Sequence, residues 1–506
     1  MLYKSKKRNI GSNQLLTLSI ASVFLLMSAC SSDTDNTDES LLSLVSVAGL
    51  TGDPTTGRTL PSIDDPKAQL GKKLFFTKGL GGDNDSACVT CHHPSLGGGD
   101  NLSLSIGVGA EIPDLLGPGR FHAYDSTLDD SGMPFPDAVF DGGPTVPRNA
   151  PTTFNVALWD QVLFHDGRVE SLDKIAGENG AGVLGIRTPD SPNITTADPD
   201  AGPNLAAAQS RFPVTSPEEM RGFVGLAPDH NTADREAIED KLTADIDWVA
   251  EFDAVYGVGT TITYTLIAES IGEYERSQVF VNSPWKAYVE GDRASISDSA
   301  KRGATMFFSS IADSGANCTS CHSGDFFTDE QFHVLASPQI GRGKGDDNGT
   351  LGNDDFGRER ETADVADRYK FRTPSLLNVE VTGPWGHAGG YTRLENMVRH
   401  MLNPEQAIDN YDFSQLNPTI QAADMLTNTQ FALDQLEFNR TSNVAEVHQN
   451  ITFTDDDVTD LVEFLKALTD PCVKDRSCLA PWIPDAGDTN PDGLRLNAID
   501  NTGSFL

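Results

Sequence analysis

Basic residues are scarce in this chain. Its 506 residues hold 37 Lys and Arg against 74 Asp and Glu, a formal net charge of −37. That balance argues against nucleic acid, whose binding depends on neutralising phosphates. It suits solubility or a basic protein partner. Long apolar runs are also missing: past residue 30 no stretch reaches the length needed to cross a bilayer. Strand-like alternation is equally rare, and the periodic segments repeat at helical spacing. Cysteine is sparse, at 7 residues. A hydrophobic share of 38% supports folded domains, and the length favours two of them.

What is present begins at the N-terminus. Lys4, Lys6, Lys7 and Arg8 precede the apolar "LLTLSIASVFLLM", the layout of an export signal. The run ends in "MSAC", which resembles a bacterial lipobox. This implies a signal peptide over 1–29 and Cys30 as a lipidated N-terminus. Ser31 after it points to the outer membrane. Export would place the protein in the periplasm, held to the membrane by the lipid alone. The acidic stretch that follows reads as a tether over 30–60.

The other six cysteines fall in pairs. Cys88 and Cys91 sit in "CVTCH", Cys318 and Cys321 in "CTSCH". Cys-x-x-Cys-His attaches c-type haem, two thiols taking the porphyrin and the histidine facing the iron. Two such motifs in one exported chain predict two covalent haem c groups. An exported location also permits a short-range disulfide between Cys472 and Cys478.

The chain is written twice. "LGKKLFF" precedes the first motif and "RGATMFF" the second, 230 positions on. After them come "RNAPTTFN" leading to "FHDGRVESL", and "RTPSLLN" leading to "GHAGGYTRLE". An internal repeat of this kind means related domains. Asp65-Pro66 reads as a helix start, "TITYTLIAESIGEYERSQVF" as an amphipathic helix, and Thr454-Asp455 as the cap of a last one. The fold expected is mainly α, with two tandem cytochrome c-like haem domains and long loops. The boundaries read as 61–291, 292–470 and a tail over 471–506. In that tail Asp488, Asn490, Asp492 and Gly493 match the start of a calcium loop. Ile499 at the twelfth position lacks the closing carboxylate, so a solvated turn is the better reading.

These motifs, with "SPEEM", "RTPSLLNVEVTGPWGHAGG" and "LVEFLKALTD", resemble the bacterial di-haem cytochrome c peroxidase family, which includes the MauG-type enzymes that oxidise a protein. The resemblance covers roughly residues 61–470. It implies an N-terminal haem that meets hydrogen peroxide and a C-terminal haem that receives electrons from a small cytochrome c or cupredoxin. His92 and His322 become the proximal iron ligands. Met401, fourteen residues after His387, becomes the second ligand of the C-terminal iron, with adjacent His400 as competitor; MauG-type members carry tyrosine there. Glu219 becomes the acid–base group, with Glu218 its more exposed neighbour. Asn149, Thr382 and Pro384 match the positions that hold calcium between the domains.

Two positions depart from the family pattern. Many members carry a histidine, sixteen residues after the first haem histidine, that caps the N-terminal iron; Val108 stands there. In the loop that usually reads Trp-Asp-Gly-Arg, an inter-haem relay tryptophan is replaced by His165. Imidazole is far harder to oxidise than indole, so His165 reads as a hydrogen-bonding spacer or a proton carrier. Trp385 is the nearest candidate for a substitute relay. The sequence therefore predicts a peroxidase reducing hydrogen peroxide. The alternatives are a MauG-like enzyme acting on a protein substrate and a non-catalytic electron conduit.

Overall fold

A computed structural model describes residues 33–122, 143–223, 230–346, 354–442, 444 and 447–506. The export signal and Cys30 lie outside them. The described chain is mainly helical, with strands of only two or three residues.

Two helix crossings organise it. In the first, helix Pro66–Phe76 packs across helix Tyr264–Arg276. In the second, Asp298–Phe308 packs across Asp455–Ala467. The repeated glycine explains why both can form. A Cβ on Gly71 would collide with the Ser270 carbonyl, and one on Gly303 with that of Asp460. Only glycine lets the backbones approach so closely. The repeated Phe pair then fills each core: Phe75 and Phe76 are buried in the first, and Phe307 packs on Phe464 and Phe327 in the second.

The predicted caps are partly as expected. Thr454 and Asp457 form a reciprocal capping box on Asp455–Ala467. Pro66 opens its helix as read, but the Asp65 carboxylate bonds the Ser62 amide instead of capping.

The two repeats meet at one carbonyl. Asn155 ends "RNAPTTFN" and Asn378 ends "RTPSLLN", and both hold left-handed backbone, at φ 62° and 63°. Each donates its side-chain amide to the Phe280 carbonyl, at 3.1 and 2.9 Å. Asparagine is the non-glycine residue most at home in that conformation.

Three segments differ from the sequence-based expectation. The stretch read as a tether is helical over Asp33–Val47, and its Leu41 and Val45 are buried in the second core. A short amphipathic pattern inside an acidic run concealed this. The tail read as a separate piece is part of the first core: Val473, Leu479, Ile483, Leu496 and Ala498 pack with Phe75 and Trp248. The change of core falls between Phe280 and Val281, because helix Pro284–Glu290 buries Trp285 and Tyr288 in the second core. That is about ten residues before the expected boundary.

A small antiparallel sheet, Val162–Leu163, Val169–Ser171 and Ile186–Arg187, carries the "FHDGR" turn. Strands this short show no period in sequence. The long insertion after it is tied down by Arg211 to Asp198 and Arg235 to Asp190. A buried ion network joins the halves. Arg148 grips Asp355 through two nitrogens, at 2.6 and 2.8 Å, and also reaches Asp166.

Candidate functional site

One cavity of about 420 Å³ runs between the two halves and is lined from both motifs, by Cys91 and His92 on one side and Cys318, Cys321 and His322 on the other. The motif histidines are fixed alike. His92 Nδ1 bonds the Gly98 carbonyl at 3.2 Å, and His322 Nδ1 bonds that of Phe327 at 3.1 Å. A proton on Nδ1 leaves Nε2 as a lone-pair ligand, and burial holds both rings neutral by lowering their pKa. The four motif cysteines are in no disulfide. Burial pushes Cys318 up to about 12, and Cys88 and Cys91 higher still. Thiols held protonated suit thioether bonds better than a thiolate metal site. A largely apolar cavity with two such histidines fits two haem c groups.

On the first side, Glu219 lines the cavity from the wide turn Pro217–Arg221. Its carboxyl is raised above the usual range by burial, while Arg168 and Lys344 pull it back. Both cations line the same cavity. Lys344 was not anticipated, because nothing in "GRGKGDD" marks one lysine as inward-facing. Glu218 instead accepts from the Ser216 hydroxyl. Val108 is buried at 1% exposure and does not line the cavity. Its loop is clamped: Arg120 donates to the carbonyls of Ile106 and Gly107, at 2.6 and 2.7 Å. His93 and His122 are buried in local hydrogen bonds and also stand outside the cavity lining.

On the second side, Met401 lines the cavity from helix Leu394–Leu402, with Met397 a turn before it. His400 points away and both its ring nitrogens are engaged, by Tyr391 Oη at 2.9 Å and the Leu335 carbonyl at 2.8 Å. That geometry removes it as a competitor. His333, paired with Asp329 at 2.7 Å beside Cys321, also went unnoticed in the sequence.

Between the halves, His165 Nε2 donates to the Asn149 carbonyl at 3.0 Å. Burial, with Arg148 and Arg372 nearby, pushes its pKa down to about 3. It is thus a neutral donor, which fits the spacer and not a proton carrier near neutral pH. Asn149, Thr382, Pro384 and Trp385 line this central stretch. The Asn149 amide already bonds the carbonyls of Leu102 and Ser103. Trp159 lines the cavity too, with the Arg372 guanidinium 3.6 Å from its ring centre, and no local string marks it as a wall residue. In the tail, Asp492 accepts from Thr77 and from the Trp248 indole, and Asn490 donates to the Lys73 carbonyl. The calcium-like string is therefore a strut onto the first core. Cys472 and Cys478 are joined in a disulfide.

The sequence model of the di-haem cytochrome c peroxidase family matches residues 65–294. The methylamine utilization protein MauG of Methylorubrum extorquens is 27% identical over 339 residues, 66% of this chain and 68% of that protein. Cytochrome c551 peroxidase of Pseudomonas aeruginosa is 26% identical over 343 residues, 68% of this chain and 73% of its own. Two solved structures share the fold. A MauG-like protein associated with microbial copper homeostasis superposes with a TM-score of 0.52 at 18% identity, covering 85% of this chain and 98% of that one. The diheme peroxidase BthA of Burkholderia thailandensis gives 0.51 at 21%, covering 88% and 92%. No helix among the described residues is long and apolar enough to cross a membrane. With paired haem motifs on one cavity, the chain carries a match to the di-haem cytochrome c peroxidase family over residues 65–294 and is similar both to its peroxidases and to MauG.

Proposed function

We propose that the protein reduces hydrogen peroxide to water with electrons from a small cytochrome c or cupredoxin. The carrying observation is the asymmetry of the cavity, with Glu219 and two cations at one end and Met401 among apolar residues at the other. In this reading the two cores are tandem haem domains, the first peroxidatic and the second electron-receiving. His92 and His322 would hold the irons through Nε2, and Met401 would offer the C-terminal iron a soft thioether, a donor that favours the reduced state.

Bound haem would supply the redox chemistry toward peroxide at this end. Glu219 accepts the proton of one peroxide oxygen and returns it to the other as that oxygen leaves as water. Burial raises its pKa above the usual carboxyl range, which favours its taking up that proton. Arg168 and Lys344 pull the pKa back and attract negative charge to the same end. His165 fixes the central loop by donating to the Asn149 carbonyl. Calcium is proposed at Asn149, Thr382 and Pro384, residues of both halves that line the same cavity. Cys30 is proposed as a lipid anchor holding the protein in the periplasm at the outer membrane.

The MauG-like alternative, in which a partner protein is oxidised, draws on Val108. A buried valine on a clamped loop cannot cap the first site in the resting protein. Steady-state peroxide turnover with a reduced cytochrome c decides between the readings. Glu219→Gln is expected to keep both haem spectra and lose about 10²–10⁴-fold in turnover. A loss under about fivefold removes Glu219 from the mechanism. Wild-type protein that consumes peroxide only with a protein substrate establishes the alternative.

A further inference from the structure

An open groove of about 500 Å³ lies on the surface where the halves meet. Ser95, Leu96 and Gly97, just after the first haem motif, form one wall, and the turn from Val381 to Trp385 forms another. The rim carries Lys474 and Arg476, on the loop closed by the Cys472–Cys478 disulfide. Pro384 and Trp385 line this groove and the inner cavity alike. We propose that a one-electron donor with an anionic edge docks in this groove, and that Trp385 is the port through which its electrons pass inward. This rests on the peroxidatic reading and adds where the donor binds.

The five tryptophans can be ranked by position and charge. Trp159 and Trp385 line the inner cavity, and of these only Trp385 also meets the groove. The Arg372 cation over Trp159 opposes a positive hole there. No cation is placed over Trp385 among the described contacts. Its Nε1–H donates to the Val379 carbonyl at 3.0 Å, and its backbone pairs in both directions with Tyr391. A carbonyl is too weak a base to take the indole proton. After losing one electron, the ring stays a cation in a fixed place and remains strongly oxidising. Charge selects the donor. Lys474 neutralises Glu380, and Arg476 has no ion-pair partner among the described contacts. One uncompensated cation on a chain of net charge −37 marks the place where an anionic edge is welcome.

Each donor gives one electron to the Trp385 cation and leaves oxidised by one electron. Two such passages, with two protons, turn one hydrogen peroxide into two waters. Without a donor, the indole loses two electrons and two protons, and one ring C–H becomes C–OH with oxygen from water.

The test uses holoprotein. Peroxide is added without donor and peptides are mapped by mass, with a gain of one oxygen expected on Trp385. Ferrocyanide, an anionic one-electron donor, is expected to suppress that gain. At low ionic strength, Arg476→Glu should slow ferrocyanide oxidation by about tenfold and speed that of cationic hexaammineruthenium(II), with both effects fading in salt. Trp385→Phe should leave both haem spectra intact and slow both donors by about tenfold or more. Oxygen on Trp159 with none on Trp385, or donor rates blind to both substitutions, overturns the port while peroxide uptake stands. Holoprotein that consumes no peroxide overturns the peroxidatic reading and the port together.

Discussion

The two haem-motif cores share a scaffold and differ in what faces their shared cavity. Each has a glycine at the helix crossing, a Phe pair beside it, a motif histidine tied through Nδ1 to a carbonyl five or six residues on, and a left-handed asparagine on Phe280. The first half then presents Glu219 and Arg168, met there by Lys344 from the second half; the second also presents Met401, Met397, Leu394 and Val398. The scaffold holds the cofactor, and the segments leading away from it decide the chemistry. A duplicated fold can therefore take two jobs without altering its core.

The sharpest way to break the likeness is at the crossings. Gly71→Val and Gly303→Val force side chains against a backbone carbonyl, at a cost of about 1–3 kcal/mol or more each. Thermal unfolding followed at each haem should show both variants destabilised, each most at its own core. Equal loss at both haems would mean that the cores unfold as one unit.

The difference is sharpened by Met401→Leu. It should change the ligation and spin state of the C-terminal haem alone, removing any weak near-infrared sulfur-to-iron band. A surviving band would move the ligand to Met397.

A smaller effect separates the cores by pH. Glu275, on the helix of the first crossing, is buried and held protonated, its pKa raised by desolvation from 4.5 to about 8. Below about pH 4.5 both folded and unfolded chains hold the proton. Between there and pH 8 only the folded chain does, so stability falls as pH rises. Glu275→Gln should flatten that slope in urea titrations; an unchanged slope would place the proton elsewhere. The smallest effect is expected from His165→Phe. Removing one neutral donor should cost about 1 kcal/mol of stability and leave peroxide binding nearly unchanged.

Much of this was legible because haem attachment is written locally. Cys-x-x-Cys-His and the Gly–Phe-Phe helices are strings that carry their placement with them. Groups whose role depends on the tertiary path were not legible. Lys344 and Trp159 become wall residues only because distant loops fold over the cavity. His165 was readable as a substitution, but its neutrality comes from burial and then from Arg148 and Arg372, one of them 207 positions away. The helix over Asp33–Val47 was hidden because the helix it packs on, Asp298–Phe308, lies more than two hundred residues downstream.

That helix and the tail have a joint consequence. The amino-terminal helix completes the second core, while the carboxyl-terminal segment completes the first. Each half is thus buckled shut by the opposite end of the polypeptide. Cutting the connector near Val281 would leave the halves strapped together, and the first core cannot close before residues 473–498 have been made.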